Sequence, residues 1–295
     1  MKKLLIFIFL LFNTTFSKSE EKVFNLMGTY AIIDLEDEQK IYETYRYLKH
    51  IEELLSDYKE DSEITLINKM AGIKPVKVSP ITFEIIKKSL EICKLTKGAF
   101  DITVGSITIN HRRLKLIDEN KAKKLVNCND VVLDNKEETV FLKKKYMVID
   151  LGGIGKGFAI QKAYEKIGAD KGFIAIAGDL KVWGQRRKIG IYNPVNKSII
   201  AVGTNNKDLC LSTSGNYFQN HIIGEKTDIL QVSVVYDECS FTDAIDTGIF
   251  AMGEKDRKVF LKNAEFGYLI IYQDGRVEFN KKLLEYFEDL TFQPF

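Results

Sequence analysis

The sequence is poor in several residue types. It has one Trp, three His and four Pro in 295 residues. So few prolines argue against long linkers, and so few histidines leave little room for a His-rich metal centre. The four cysteines (Cys93, Cys128, Cys210 and Cys239) form no C-x-x-C pair and no regular spacing. Zinc-finger and thioredoxin-like readings are therefore excluded, and a disulfide scaffold is not indicated; the cysteines read as small buried apolar residues. No Gly-x-Ser-x-Gly nucleophile elbow is present. Charge of one sign is lacking too: 43 Lys+Arg stand against 41 Asp+Glu, a net +2, which is too small for a general nucleic-acid binder. The hydrophobic fraction of 45% and charged fraction of 28% exclude disorder and collagen-like structure.

One long apolar run exists. Met1-Lys2-Lys3 precedes nine apolar residues, Leu4–Phe12, and then a polar stretch with Thr15 and Ser17. A run this short cannot span a bilayer, and its flanks read as a secretory signal over residues 1–17, which predicts a periplasmic protein. Removing it takes away two lysines and no acid, so the mature chain, residues 18–295, is formally neutral. No later run is long enough to cross a membrane.

Local patterns predict an α+β fold. Residues 23–34 read as a strand broken at Gly28. Ile41, Tyr45, Leu48, Ile51 and Leu55 recur at helical spacing, and Ser79-Pro80 opens a second helix that closes before Gly98. Strands fall around 128–150, with the last at Tyr146–Asp150, and a helix over 156–167 and a strand over 173–177 follow. Short strands fill 181–236, with a polar loop at Leu211–Tyr217. Two helices are predicted near 243–252 and 255–263, and a hairpin turns at Gln273-Asp274-Gly275. Strands and helices mix without strict alternation, so antiparallel or mixed sheets with flanking helices are expected, in two lobes of one unit.

Two segments carry candidate chemistry. Residues 150–157, Asp-Leu-Gly-Gly-Ile-Gly-Lys-Gly, lead into a helix. A helix N-terminus with glycines and a lysine suits an anion. Gly157 after Lys156 rules out a P-loop, and Phe158 rules out a dinucleotide fingerprint; on the loop alone, tight packing and phosphate binding explain the glycines equally. Asp243 and Thr247 lie four apart on one helix face, where they offer hard oxygen ligands to Mg²⁺, with Asp246 pointing elsewhere. Taken alone, Thr242 or Asp243 is more simply a helix cap. Of the histidines, His221 stands nearest the polar loop and is a candidate acid–base group, whereas His50 and His111 read as surface residues.

These islands stand in a telling order: Met27-Gly28-Thr29, Leu55-Ser56-Asp57-Tyr58, Gly98-Ala99-Phe100-Asp101, Asp150–Gly157, Ala177-Gly178-Asp179, Thr213–Tyr217, His221-Ile222-Ile223, and Asp243-Ala244 with Thr247. The order resembles the ApbE family of FAD:protein FMN transferases across nearly all of the mature chain. The resemblance implies a T-fold-related α+β unit that binds FAD and Mg²⁺. It implies cleavage of the FAD pyrophosphate, attachment of FMN to a Thr or Ser of an acceptor protein as a phosphoester, and release of AMP. By motif position it assigns the metal to the side chains of Asp243 and Thr247 and the carbonyl of Gly153. FAD falls to Met27, Tyr58, Ala99, Phe100, Asp101, Asp150, Lys156, Asp179, Thr213 and Ile222. His221 would be the base, acting with Lys156 and Asp243. The implied acceptors are exported flavoproteins, such as subunits of Rnf-type or sodium-pumping NADH:quinone redox complexes. An FAD pyrophosphatase or a non-catalytic FAD carrier would use the same motifs. The family pattern is altered at Gly155, at Ala177 and in Gly224–Asp228, which follows His221-Ile222-Ile223.

Overall fold

A computed structural model describes residues 21–194, 198–215, 223–224 and 227–293. Residues 1–17, His221 and Ile222 lie outside the described residues, and statements about what is absent refer to those described.

The first half contains β1 (Lys22–Leu26), β2 (Thr29–Asp34), α1 (Glu38–Leu55), α2 (Glu63–Lys69), β3 (Val76–Lys77), α3 (Pro80–Leu95), α4 (Glu119–Lys123), β4 (Val131–Asp134) and β5 (Thr139–Leu142). The second contains α5 (Gly155–Ile167), β6 (Gly172–Ile176), β7 (Asp179–Trp183), β8 (Lys188–Tyr192), β9 (Ile199–Thr204), β10 (Leu209–Gly215), β11 (Ile229–Tyr236), α6 (Cys239–Ala251), α7 (Glu254–Leu261), β12 (Gly267–Tyr272), β13 (Val277–Phe279), α8 (Lys281–Leu284) and β14 (Thr291–Phe292). An eight-stranded sheet in the order β1-β2-β6-β7-β10-β11-β12-β13 forms the spine, and every adjacent pair in it runs antiparallel. The small sheets β14-β9-β8 and β3-β5-β4 flank it, and no barrel closes. The expected α+β class is observed.

Strand alternation divides the core. Ile174, Ile176, Val232, Val234 and Ile270 face the helical layer of α1, α3, α5 and α6, in one large cluster with Leu48, Ile86, Phe158 and Ile245. Phe173, Val235, Leu269 and Ile271 face the other way, onto Ile189, Ile191, Ile200 and Leu283 of β8, β9 and α8. Both faces of the spine are thus covered, and for this reason its strands read as nearly unbroken apolar runs.

The helix starts follow from their caps. Asp37 accepts from Gln39 N, and Ser79 accepts from Thr82 N with Pro80 in the first turn. Four expectations are corrected. Residues 146–150 run without a ladder partner and are not a strand. Residues 209–215 are β10 rather than a loop. Helix α6 begins at Cys239, four residues before Asp243, because Glu238 accepts from Ser240 N and Phe241 N; neither Thr242 nor Asp243 is its cap. Finally, all four cysteines are paired, Cys93–Cys128 and Cys210–Cys239, across elements that the fold brings together. Spacings of 35 and 29 residues left that pairing invisible in the sequence. The disulfides also settle the Cys93, Asp101, Cys128 cluster: its sulfurs are bonded to each other and are not metal ligands.

Candidate active site

The N-terminus of α5 meets the first turns of α6, and the meeting depends on a missing side chain. A Cβ on Gly157 would lie 2.2 Å from the Cys239 carbonyl oxygen and 2.6 Å from Asp243 Cβ. Glycine there lets the helices touch, so Gly157 N donates to Asp243 Oδ2 at 2.7 Å. Helix α5 has no capping side chain of its own, and this carboxylate from α6 serves its exposed N–H end.

Lys156, one residue earlier, reaches across the same interface. Its Nζ lies 2.7 Å from Asp179 Oδ2 and 3.5 Å from Asp243 Oδ1. Both carboxylates are buried, whereas the lysine side chain is 28% exposed and so can still meet a ligand. Burial alone would lower the ammonium's pKa, but Asp179 and then Asp243 outweigh it and hold the lysine charged. Asp179 opens β7 directly after the two-residue turn Ala177-Gly178, which aims it at this point.

A second carboxylate of α6 joins the cluster. Asp246 is fully buried, contrary to the expectation that it points away. Ser214 at the end of β10 donates to Asp246 Oδ1 at 2.9 Å and bonds Thr247 Oγ1 at 3.0 Å. Asp246 Oδ2 has no hydrogen-bond partner among the described residues. Burial first, then Asp243 and Asp179, push the Asp246 carboxyl well above the usual range. Burial, then Asp179, pushes Asp243 up to about 7, against the pull of Lys156 and the Gly157 N–H. Three buried carboxylates thus face one lysine.

The Gly-rich loop closes the arrangement. A Cβ on Gly153 would sit 3.0 and 3.1 Å from Thr247 Cγ2 and Oγ1, with Phe100 Cε2 at 3.4 Å. Gly153, Asp243 and Thr247, named in the sequence as a metal set, are therefore neighbours here together with Lys156 and Asp179. The residues fit a divalent cation. The donors are hard oxygens, the surplus negative charge is buried, and one carboxylate oxygen is orphaned.

The remaining predicted residues divide. Phe100 is buried beneath the loop, packed toward Gly153 and Gly248, with half-buried Ala99 beside it. Asp101 is spent inside the protein: Oδ1 accepts from Thr103 N and Oγ1, and Oδ2 accepts from Cys128 N. Asp150 accepts from Thr108 Oγ1 and Gly152 N, which fixes the loop's entry. Tyr58 is 79% exposed, with the Arg113 guanidinium 4.1 Å from its ring centre and Arg113 also held by Asp57. Burial first and then Asp150 raise the Asp57 carboxyl. Met27 sits in the β1–β2 turn, its N–H donating to Glu52 Oε1. Thr213 is not brought to the cluster. Strand alternation turns it to the opposite face, where its hydroxyl pairs with Ser233. Its neighbours Ser212 and Ser214 face α6 instead, with Ser212 bonded to Thr242. Ser214 and Asp246 were missed by sequence reasoning; the three-residue step from Asp243 to Asp246 was the available signal.

Fold and site together define an α+β protein with a buried cluster of carboxylate and hydroxyl oxygens around one lysine, whose donors fit a divalent cation. A model of the ApbE family matches residues 27–270, and the chain belongs to that family. Among curated relatives, the FAD:protein FMN transferase of Haemophilus influenzae is 27% identical over 310 residues, covering 88% of this chain and 89% of that one. The FAD:protein FMN transferase of Vibrio cholerae is 25% identical over 244 residues, covering 71% and 72%. Among solved structures, the ApbE protein of Thermotoga maritima superposes with a TM-score of 0.81 at 22% identity, covering 92% of this chain and 100% of that one. The Vibrio cholerae flavin transferase ApbE gives 0.79 at 20% identity, covering 91% and 99%. These two establish the fold.

Proposed function

We propose that this protein transfers FMN from FAD to a Thr or Ser hydroxyl of an acceptor protein with the help of Mg²⁺. The observation that carries the reading is the convergence of Gly153, Lys156, Asp243 and Thr247 at the α5–α6 interface, in a chain whose curated relatives are named FAD:protein FMN transferases. Asp243, Thr247 and the Gly153 carbonyl would hold the cation. Mg²⁺, when bound, supplies electrophilic polarisation of the pyrophosphate and offsets charge on the departing AMP.

The chain's own groups do the rest. Lys156, kept charged by Asp179 and Asp243, faces the pyrophosphate with the exposed part of its side chain. The Gly157 N–H fixes the direction of the Asp243 carboxylate. Tyr58 offers an exposed aromatic face for a flat ring. In the transfer, the acceptor oxygen bonds to the FMN phosphorus, the P–O bond to AMP breaks, and the hydroxyl proton passes to a base. We assign that base to His221.

The setting we propose is extracytoplasmic. Two disulfides and the N-terminal segment 1–17 support it, and no helix among the described residues is long and apolar enough to cross a membrane. The test is incubation with FAD, Mg²⁺ and an acceptor domain from an exported redox-complex subunit. An FMN-sized mass increase on an acceptor Thr is expected. Free FMN with AMP and no adduct would mean a pyrophosphatase, and unchanged FAD a carrier.

A further inference from the structure

Lys181 stands directly opposite Cys210 in the β7–β10 ladder, and its ammonium lies 4.2 Å from the centre of the Tyr164 ring on α5. The residue is 3% exposed. Its Nζ donates to the Asp237 carbonyl at 3.2 Å and to Cys210 Sγ at 3.5 Å, and among the described residues no carboxylate pairs with it. Burial lowers its pKa, and Asp208, then Asp237, Glu238 and Glu165, offset that only in part. Each of those acids is engaged elsewhere: Asp208 with Gly184 N, Asp237 with the Tyr286 hydroxyl, Glu238 with Lys88 and the first N–H groups of α6, and Glu165 with Lys162. A buried cation in this condition gains from an anion beside it.

The two disulfides therefore stand in opposite surroundings. At Cys210–Cys239, one sulfur meets the Lys181 ammonium, and the other belongs to the first residue of the 13-residue helix α6, whose N–H end favours negative charge. At Cys93–Cys128, Cys93 lies in the last turn of α3, the carbonyl end, and an Asp101 carboxylate oxygen is within 4.8 Å of both sulfurs. Thiolates are favoured at the first bridge and opposed at the second. We propose that Cys210–Cys239 is a thiol-exchange site, opened by a dithiol reductant under conditions that leave Cys93–Cys128 closed.

The exchange runs in two displacements. One sulfur of the dithiol bonds to Cys239 Sγ, and Cys210 leaves as a thiolate beside Lys181. The second sulfur of the dithiol then closes its own disulfide and expels Cys239 at the start of α6. The dithiol is oxidised and the protein disulfide reduced by two electrons. Of the two protons released, one goes to Cys239 and one to water. The bond that opens is the one tying β10 to the helix that carries Asp243 and Thr247, so its state bears on the site.

The experiment equilibrates the full chain in buffers of reduced and oxidised dithiothreitol, starting from both the oxidised and the reduced protein because both sulfurs are buried. After an acid quench, alkylation in denaturant and peptide mass spectrometry report each bridge separately. Cys210–Cys239 should open at a reduced-to-oxidised ratio at least about tenfold lower than Cys93–Cys128, a difference of about 30 mV. K181M should make Cys210–Cys239 harder to open and narrow that gap by about tenfold, whereas K181R should keep it. A lysine that only packs would act with the other sign, since its loss would loosen the strands and make the bond easier to open. Equal midpoints in the unaltered protein, or Cys93–Cys128 opening first, would overturn the proposal, and this comparison holds whether or not K181M folds. An unchanged or widened gap in folded K181M would overturn it too.

Discussion

Gly157 N and Asp243 Oδ2 stand 2.7 Å apart across two helices that 86 residues of chain separate. The bond exists only because residue 157 has no side chain. In G157A the new Cβ would meet the Cys239 carbonyl oxygen at 2.2 Å, and backbone cannot swing aside as a side-chain tip can. We expect a stability loss of about 3 kcal/mol, at the upper end for overpacking, together with weaker cation binding. Urea unfolding checks the first and Mn²⁺ titration the second. A normal unfolding midpoint would show that α5 and α6 do not pack as described.

Asp243 predicts a pH dependence. Its carboxyl ionises near 3.8 when unconstrained and is pushed up to about 7 in the metal-free fold, by burial and then by Asp179. Between those values the folded protein holds a proton that the unfolded chain has released. This group's contribution to metal-free stability is therefore full below pH 3.8 and is lost as pH rises through about 7. A cation needs the ionised form, so its affinity should climb by up to about tenfold per pH unit below that point and level off above it. Mg²⁺ titrations on either side of neutrality check the slope; a flat profile would contradict it.

Lys156 should act in opposite directions on its two partners. Removing it takes positive charge from a phosphate-facing surface, so K156A should raise the FAD dissociation constant at least about tenfold, read by flavin fluorescence without metal. The same change deepens the negative charge around Asp179 and Asp243, so cation affinity should rise. A fall in both affinities would point to collapse of the site rather than loss of one charge.

The disulfides give a chemical test. In the native protein, alkylation should label none of the four cysteines, and after denaturation and reduction it should label all four. The bridges close spans of 35 and 29 residues, and losing either should cost about 2–4 kcal/mol. Cys239 opens α6 and Cys128 holds Asp101, so reduction should also loosen the segments that carry Asp243 and Phe100. Mass spectrometry and thermal unfolding with and without reductant report both.

Elements with local causes were legible in the sequence. Helix α1 follows from its apolar spacing, α3 from Ser79-Pro80, and the β12–β13 hairpin from its Asp-Gly turn. The α6 start was misplaced because a glutamate, Glu238, caps it where Thr242 and Asp243 offered commoner capping chemistry. Lys156, Asp243 and Thr247 could be named from spacing and resemblance. What they face could not. Asp179 arrives from the start of β7 and Ser214 from the end of β10, and which side of a strand a residue takes depends on the ladder register. A one-residue slip in β10 would have delivered Thr213 in place of Ser214. Cysteine pairing failed for the same reason, since partners about 30 residues apart meet only through tertiary packing.

Strands β7 and β10 pair with each other, Leu180 opposite Leu211 and Val182 opposite Leu209, although the chain between them leaves the spine to build β8 and β9 on its far side. Asp179 lies at one end of this pair and the departing chain at the other. The detour is therefore an appendix to a closed hairpin. Its outer surface can change without altering the register that sets Asp179 and Ser214, provided that Ile189, Ile191 and Ile200 still cover the spine. Changes on that outer surface are thereby uncoupled from the chemistry.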